Sequence, residues 1–278
     1  MKQNLKLVLF FLSAMFIMTA CDKDDDNFVP ETIVRSAFNE MYPDAKRVEW
    51  ENKLNYAVAE FNDNGKDVEV WFETGGIWLL TERDINVSDL PEAVKQSINA
   101  GKYAGWRIDE ANYLERKDME PVYVVDVEKG DNEVSLYYSV DGKLLKEVAD
   151  GYYQQAVPTP VNPNITDIVS SQYPSAKIVE VDVEPNAIEV DLIEGNLYFT
   201  MILDKEYNWV QTEYDTEWTR VPDAVKVSFA EDGYTFNASE DEATMIIRAD
   251  ESIVYQIELD REPQDLILYY TSDGVRQE

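Results

Sequence analysis

Three short stretches of this chain occur twice at one fixed spacing. Tyr42-Pro43-Asp44-Ala45-Lys46 recurs as Tyr173-Pro174-Ser175-Ala176-Lys177, and Leu90-Pro91-Glu92-Ala93-Val94-Lys95 recurs as Val221-Pro222-Asp223-Ala224-Val225-Lys226. Trp78 with Thr81-Glu82 recurs as Trp209 with Thr212-Glu213. All three pairs lie 131 positions apart (173 − 42, 221 − 90, 209 − 78). Self-similarity at one offset with no net gap marks a tandem duplication, so the fold must be something a chain can build twice. Each copy divides again. Pro30-Glu31-Thr32 and Pro91-Glu92-Ala93 both open a helix with proline in its first turn. Val68–Leu80 and Glu133–Leu145 both read as strand, glycine turn, strand. Four units follow, beginning near Pro30, Ser88, Asn164 and Arg220.

The first unit shows what each unit builds. Ile33, Val34, Ala37, Phe38 and Met41 recur at the spacing of one helical face. Pro43 stops that helix, because proline lacks the amide N–H and clashes with the preceding turn. Val48 and Trp50 then alternate with Glu49 and Glu51, as in a strand with one wet face. Asn64-Gly65 signals a hairpin, and Gly75-Gly76 the next turn. Each unit thus reads as one helix on a roughly four-stranded antiparallel sheet, α+β in class. The Tyr-Pro-x-Ala-Lys stretch marks the helix-to-strand corner, where Tyr42 and Tyr173 pack. Pro158, Pro160 and Pro163 mark an extended linker between the duplicates.

The stretch from Ala37 to Glu51, with Val70–Glu82 and Leu90–Ile98, resembles the PepSY-like, β-lactamase-inhibitor-like family of Bacteroidetes lipoproteins. The resemblance covers roughly Pro30 to Val148 and weakens in the second copy, where Trp50 has become Val181. It implies tandem units shaped like β-lactamase inhibitory protein, with helices on one face of each sheet and the other face available to a partner. It brings no catalytic residue.

Composition removes much chemistry. The chain has no histidine, and its one cysteine is Cys21, which excludes histidine-based triads, internal disulfides and Cys-rich metal sites. No cofactor and no metal are expected. Fifty-six Asp and Glu against 24 Lys and Arg give a formal net charge of -32, a field that repels nucleic acid and favours cationic partners. Residues 1–20 read as a signal peptide, with Lys2 and Lys6 before the apolar run Leu7–Met18. Met18-Thr19-Ala20-Cys21 resembles a lipobox, which would lipidate Cys21, and Lys23-Asp24-Asp25-Asp26 resembles an export signal to the outer face of the outer membrane. The expected organisation is a lipidated acidic tether over 21–29, a first domain over 30–148, a linker over 149–162 and a second domain over 163–278.

The leading expectation is a non-enzymatic, lipid-anchored binding module that takes a protein or glycan partner on its sheet faces. A carboxylate-only surface hydrolase and a spacer without a ligand are the alternatives. Strand alternation puts Trp71, between Glu69 and Glu73, on the face turned away from the helix. Tyr137 and Tyr269 hold equivalent places, and Ile202 stands in the fourth unit. Trp71, Tyr137, Tyr269, Glu69 and Glu73 are therefore the candidate contact residues, weighed against rings that merely cover neighbouring units. As contact residues they predict that Trp71→Ala weakens capture and leaves the melting temperature nearly unchanged.

Overall fold

The computed structural model describes residues 28–149, 156–261 and 263–277. The leader, Cys21 and the acidic run lie outside the described residues. In the first half, α1 (Thr32–Met41) precedes β1 (Glu49–Lys53), β2 (Tyr56–Asp63), β3 (Lys66–Phe72) and β4 (Trp78–Asp84). Next come α2 (Glu92–Ala100), β5 (Arg107–Arg116), β6 (Val122–Lys129), β7 (Asn132–Ser139) and β8 (Leu144–Ala149). The second half repeats the order. It runs through α3 (Pro163–Gln172), β9 (Lys177–Val183), β10 (Ile188–Glu194), β11 (Leu197–Leu203) and β12 (Trp209–Asp215). It closes with α4 (Asp223–Glu231), β13 (Glu242–Arg248), β14 (Ile253–Leu259), β15 (Leu266–Thr271) and β16 (Arg276–Gln277).

The units do not carry separate sheets. β4 pairs with β5 and β12 with β13, so each half is one eight-stranded antiparallel meander in chain order. Fusion removes the two bare edges that paired four-stranded sheets would expose. The fold is two duplicated α+β domains.

Each of α1 to α4 is short and buries one i, i+4 pair against its own strands. The pairs are Val34 with Phe38, Val94 with Ile98, Ile165 with Val169, and Val225 with Phe229. Phe38 meets Phe61 and Phe72 edge-on, while Ile98 packs among Val125, Leu136 and Tyr138. α1 stops at Tyr42, whose N–H donates to the Phe38 carbonyl before Pro43 ends the ladder. Two hairpins lean on the helices through glycine. A Cβ on Gly142 (φ +81) would lie 2.5 Å from the Ala93 carbonyl carbon, and one on Gly274 (φ +87) 2.5 Å from the Ala224 oxygen.

The repeated motifs meet in space. Thr81, 1% exposed, accepts at 2.9 Å from the Trp78 indole N–H and lies 3.3 Å from the Tyr42 hydroxyl. In the second domain Thr212 accepts from Trp209 at 3.0 Å and from Tyr173 at 2.8 Å. A buried hydroxyl needs partners. The Tyr-Pro corner and the Trp-x-x-Thr strand recur together because each supplies part of one buried hydrogen-bonded cluster.

Candidate functional site on the helix-free face

Strand pairing orders the first sheet's other face into rows. One row runs Val58, Trp71, Leu80 and Arg116 across β2 to β5. The next runs Glu49, Glu60, Glu69 and Glu82 across β1 to β4, each directly opposite the last. Four carboxylates in direct cross-strand register oppose sheet formation. Lys53 relieves part of that repulsion. Its Nζ lies 2.6 Å from Glu60, 2.9 Å from Glu69 and 3.4 Å from Glu51, and 5.9 Å from the centre of the Trp71 ring. Burial works against the Lys53 ammonium, but hydrogen bonds to Glu60 and Glu69 outweigh it and hold its pKa above the usual lysine value. Burial raises the Glu69 pKa, opposed by Lys53. The row forms one wall of a cleft of about 700 Å³ that also takes in Lys46, Arg47, Asp67 and Asp84.

The other half of this face is apolar and covered. Trp71, Leu80, Leu114, Val122 and Val124 share one buried cluster with Val179 of β9 and with the half-buried Ile193 and Tyr198 of the second domain. Polar contacts fix the joint. Arg116 Nη1 lies 3.0 Å from Glu180 Oε2, and Nη2 donates to the Val179 carbonyl at 2.7 Å. The Glu120 amide donates to the Ile178 carbonyl at 2.7 Å, and Lys177 Nζ lies 2.6 Å from Glu120.

This placement corrects the expectation of a partner-facing aromatic surface. Trp71 does lie opposite the helices, but it is 1% exposed, because the second domain packs across that row. Its indole N–H donates to Glu69 at 2.5 Å, so Trp71 and Glu69 are brought together. Tyr137 is half-buried beside the same cluster, with its pKa pushed up to about 12 by burial and by the Glu180 carboxylate. Tyr269 is half-buried in the second sheet between Gln256 and Gln277, apart from the other candidates. Glu73 closes the β3–β4 turn, where its N–H donates to the Ile77 carbonyl and its carbonyl accepts from Gly76.

Sequence reasoning missed Glu49, Glu60 and Glu82 as neighbours of Glu69. In the second domain Arg116 takes Glu180, and burial raises the Asp182 pKa. A signal for the covered half was present. Val122-Tyr123-Val124-Val125-Asp126-Val127 and Tyr56-Ala57-Val58-Ala59 lack the alternation of a one-sided strand, as befits strands buried on both faces.

The second domain carries the same row shifted by 131 positions: Glu180, Asp191, Thr200 and Glu213, again in direct register. There Thr200 donates to Asp191 at 2.7 Å, and Arg116 of the first domain caps Glu180.

A family model described as putative beta-lactamase-inhibitor-like, PepSY-like matches residues 55–146, 152–204 and 189–277. Among solved structures, a BLIP-like protein from Bacteroides fragilis is 32% identical, covering 50% of this chain and 100% of its own, with a TM-score of 0.45. A DUF2874 family protein from Bacteroides ovatus is 30% identical, covering 46% of this chain and 95% of its own, with a TM-score of 0.44. A structure from Bacteroides eggerthii described as putative periplasmic is 22% identical, covering 44% and 90%, with a TM-score of 0.41. No curated protein matches the chain. Match to the family model across both domains carries the assignment: the chain belongs to the PepSY-like, beta-lactamase-inhibitor-like family.

Proposed function

We propose that the chain is a non-enzymatic binding module of the cell envelope, and that it holds a protein partner in the cleft on the helix-free face of its first domain. One observation carries this reading. The second domain covers the apolar half of that face, and the acidic half remains a cleft of about 700 Å³. Candidate contacts move accordingly from Trp71 and Tyr137 to Glu69 and its row. Placement in the envelope rests on the leader, on Cys21 as the lipidated residue and on the acidic run that follows it.

Photo-cross-linking in intact cells tests the proposal. A photoreactive residue at Asp67, inside the cleft, is expected to give one discrete protein adduct, while the same residue at Glu231 on α4 gives none. Equal adducts at both positions, none at Asp67, or turnover of a glycan or ester substrate by the purified protein would overturn it.

A further inference from the structure

The first domain leaves large apolar side chains in solvent at one end of its sheet. Val29 is 70% exposed, Leu54 64%, Ile33 55% and Ile77 48%. An exposed apolar residue on its own is ordinary. Here the topology gathers four. Alternate turns of an antiparallel meander fall at the same end of the sheet, which places the β1–β2 turn at Leu54-Asn55 with the β3–β4 turn that Ile77 closes. The N-terminal turn of α1 joins them there. A Cβ on Gly76 (φ +79) would lie 3.1 Å from the Ile33 carbonyl oxygen and 3.2 Å from Ile33 Cγ1. Val29 stands just before that helix.

We propose that this end of the first domain, with Val29, Ile33, Leu54 and Ile77, rests on the surface of a zwitterionic lipid bilayer. The inference depends on the reading of Cys21 as the lipidated residue and adds which side of the protein meets the lipid.

Three observations favour lipid as the cover. The chain itself delivers this end to the bilayer. Six residues, 22–27, separate Cys21 from Phe28, the first described residue, so Phe28 stands no more than about 25 Å from the acylated position. The duplicate, which follows no anchor, differs at these places. At the 131-position offset Val29, Ile33, Leu54 and Ile77 become Pro160, Asn164, Pro185 and Asn208. The second domain's exposed Val183, Val210 and Ile253 stand instead in strands β9, β12 and β14. The orientation also suits the cleft. Asn62 and Asp67 line it and flank the β2–β3 turn, at the opposite end of the sheet. With Leu54 and Ile77 down on lipid, the cleft opens away from the bilayer. Charge then selects the surface. A formal net charge of -32 opposes both anionic headgroups and a second copy of the chain, which leaves apolar contact with a neutral interface.

Single fluorophores on the full-length lipoprotein, reconstituted in phosphatidylcholine vesicles, test this surface. Cys21 is the chain's one cysteine, and acylation consumes its thiol, so Leu54→Cys and Ile77→Cys each offer one labelling site. Pro185→Cys and Asn208→Cys mark the equivalent places in the second domain, and Lys66→Cys marks the far end of the first sheet. Spin-labelled lipid reports contact by quenching, and thermal melts confirm that each variant is folded. Quenching at positions 54 and 77 is expected to be at least about threefold stronger than at 66, 185 and 208, since interfacial residues enter the headgroup boundary by about 5–10 Å. Equal quenching at all five positions, none at 54 and 77, or shielding there without lipid quenching, as a second copy would give, would overturn it. Vesicle-bound protein with unquenched labels at 54 and 77 removes this surface and leaves the anchoring reading standing. A mature Cys21 without an acyl chain, by mass spectrometry, removes both.

Discussion

Replacing Trp71 by alanine should cost the protein a large part of its stability. The indole is fully buried between Leu80, Val58 and the second domain's Val179, and meets Tyr56 edge-on at 5.9 Å. Removing a buried tryptophan costs about 3–5 kcal/mol, from lost transfer energy and from the cavity left behind. Glu69 would also lose an indole N–H donor, although Lys53 still holds the carboxylate. With a sensitivity of about 3 °C per kcal/mol for a unit of this size, Tm should fall by roughly 10–15 °C. Trp71→Phe keeps most of the ring volume, so it should cost about half as much or less. Thermal and urea unfolding followed by circular dichroism would measure both. A Tm within about 2 °C of wild type for Trp71→Ala would show that the second domain does not close over this row.

Two further outcomes follow from the packing and the charge. Gly142→Ala must push its Cβ against the Ala93 backbone at a positive φ, so urea unfolding should show a loss of at least about 1–3 kcal/mol, and Gly274→Ala a similar one; unchanged midpoints would contradict the contact between these turns and the helices. Burial raises the pKa of Glu69, Asp84, Asp126, Asp182, Glu189 and Asp191, so the folded state binds protons more readily than the unfolded chain just above the ordinary carboxylate range near about 4. Their contribution to stability is therefore gained as pH falls through that window and lost as pH rises, and Tm should be higher near about pH 5 than near about pH 8. A Tm that stays level or rises between about pH 5 and about pH 8 would refute the assignment of these carboxylates to buried positions.

The fold was legible where local chemistry decides it. The Asn64-Gly65 turn, both residues at positive φ, fixes Asp63 against Lys66 and so sets Glu60 opposite Glu69. Pro43 and the i, i+4 pairs place α1 and its ending. The acidic row was not legible, because its register depends on turns that carry no strong signal. Leu54 and Asn55 both adopt positive φ without a glycine, and a bulge at Trp71 and Phe72 shifts the β3–β4 pairing by one residue. Trp71 was assigned to the right face, yet its burial depends on a contact with Val179, more than one hundred positions away. Strand alternation reports which side a residue faces and says nothing of what covers that side.

The account rests on Arg116 joining the two domains through Glu180 and the Val179 carbonyl of the second. A double-mutant cycle of Arg116→Met and Glu180→Gln, read by denaturant unfolding of both singles and the double, measures that joint. The Arg116 side chain is 9% exposed and Glu180 23%, so a coupling energy of about 1–3 kcal/mol is expected, with each single change costing more than the double. Additive losses, with coupling near zero, would mean that Arg116 and Glu180 do not join the domains and would contradict the packing of the second domain over the apolar half of this face.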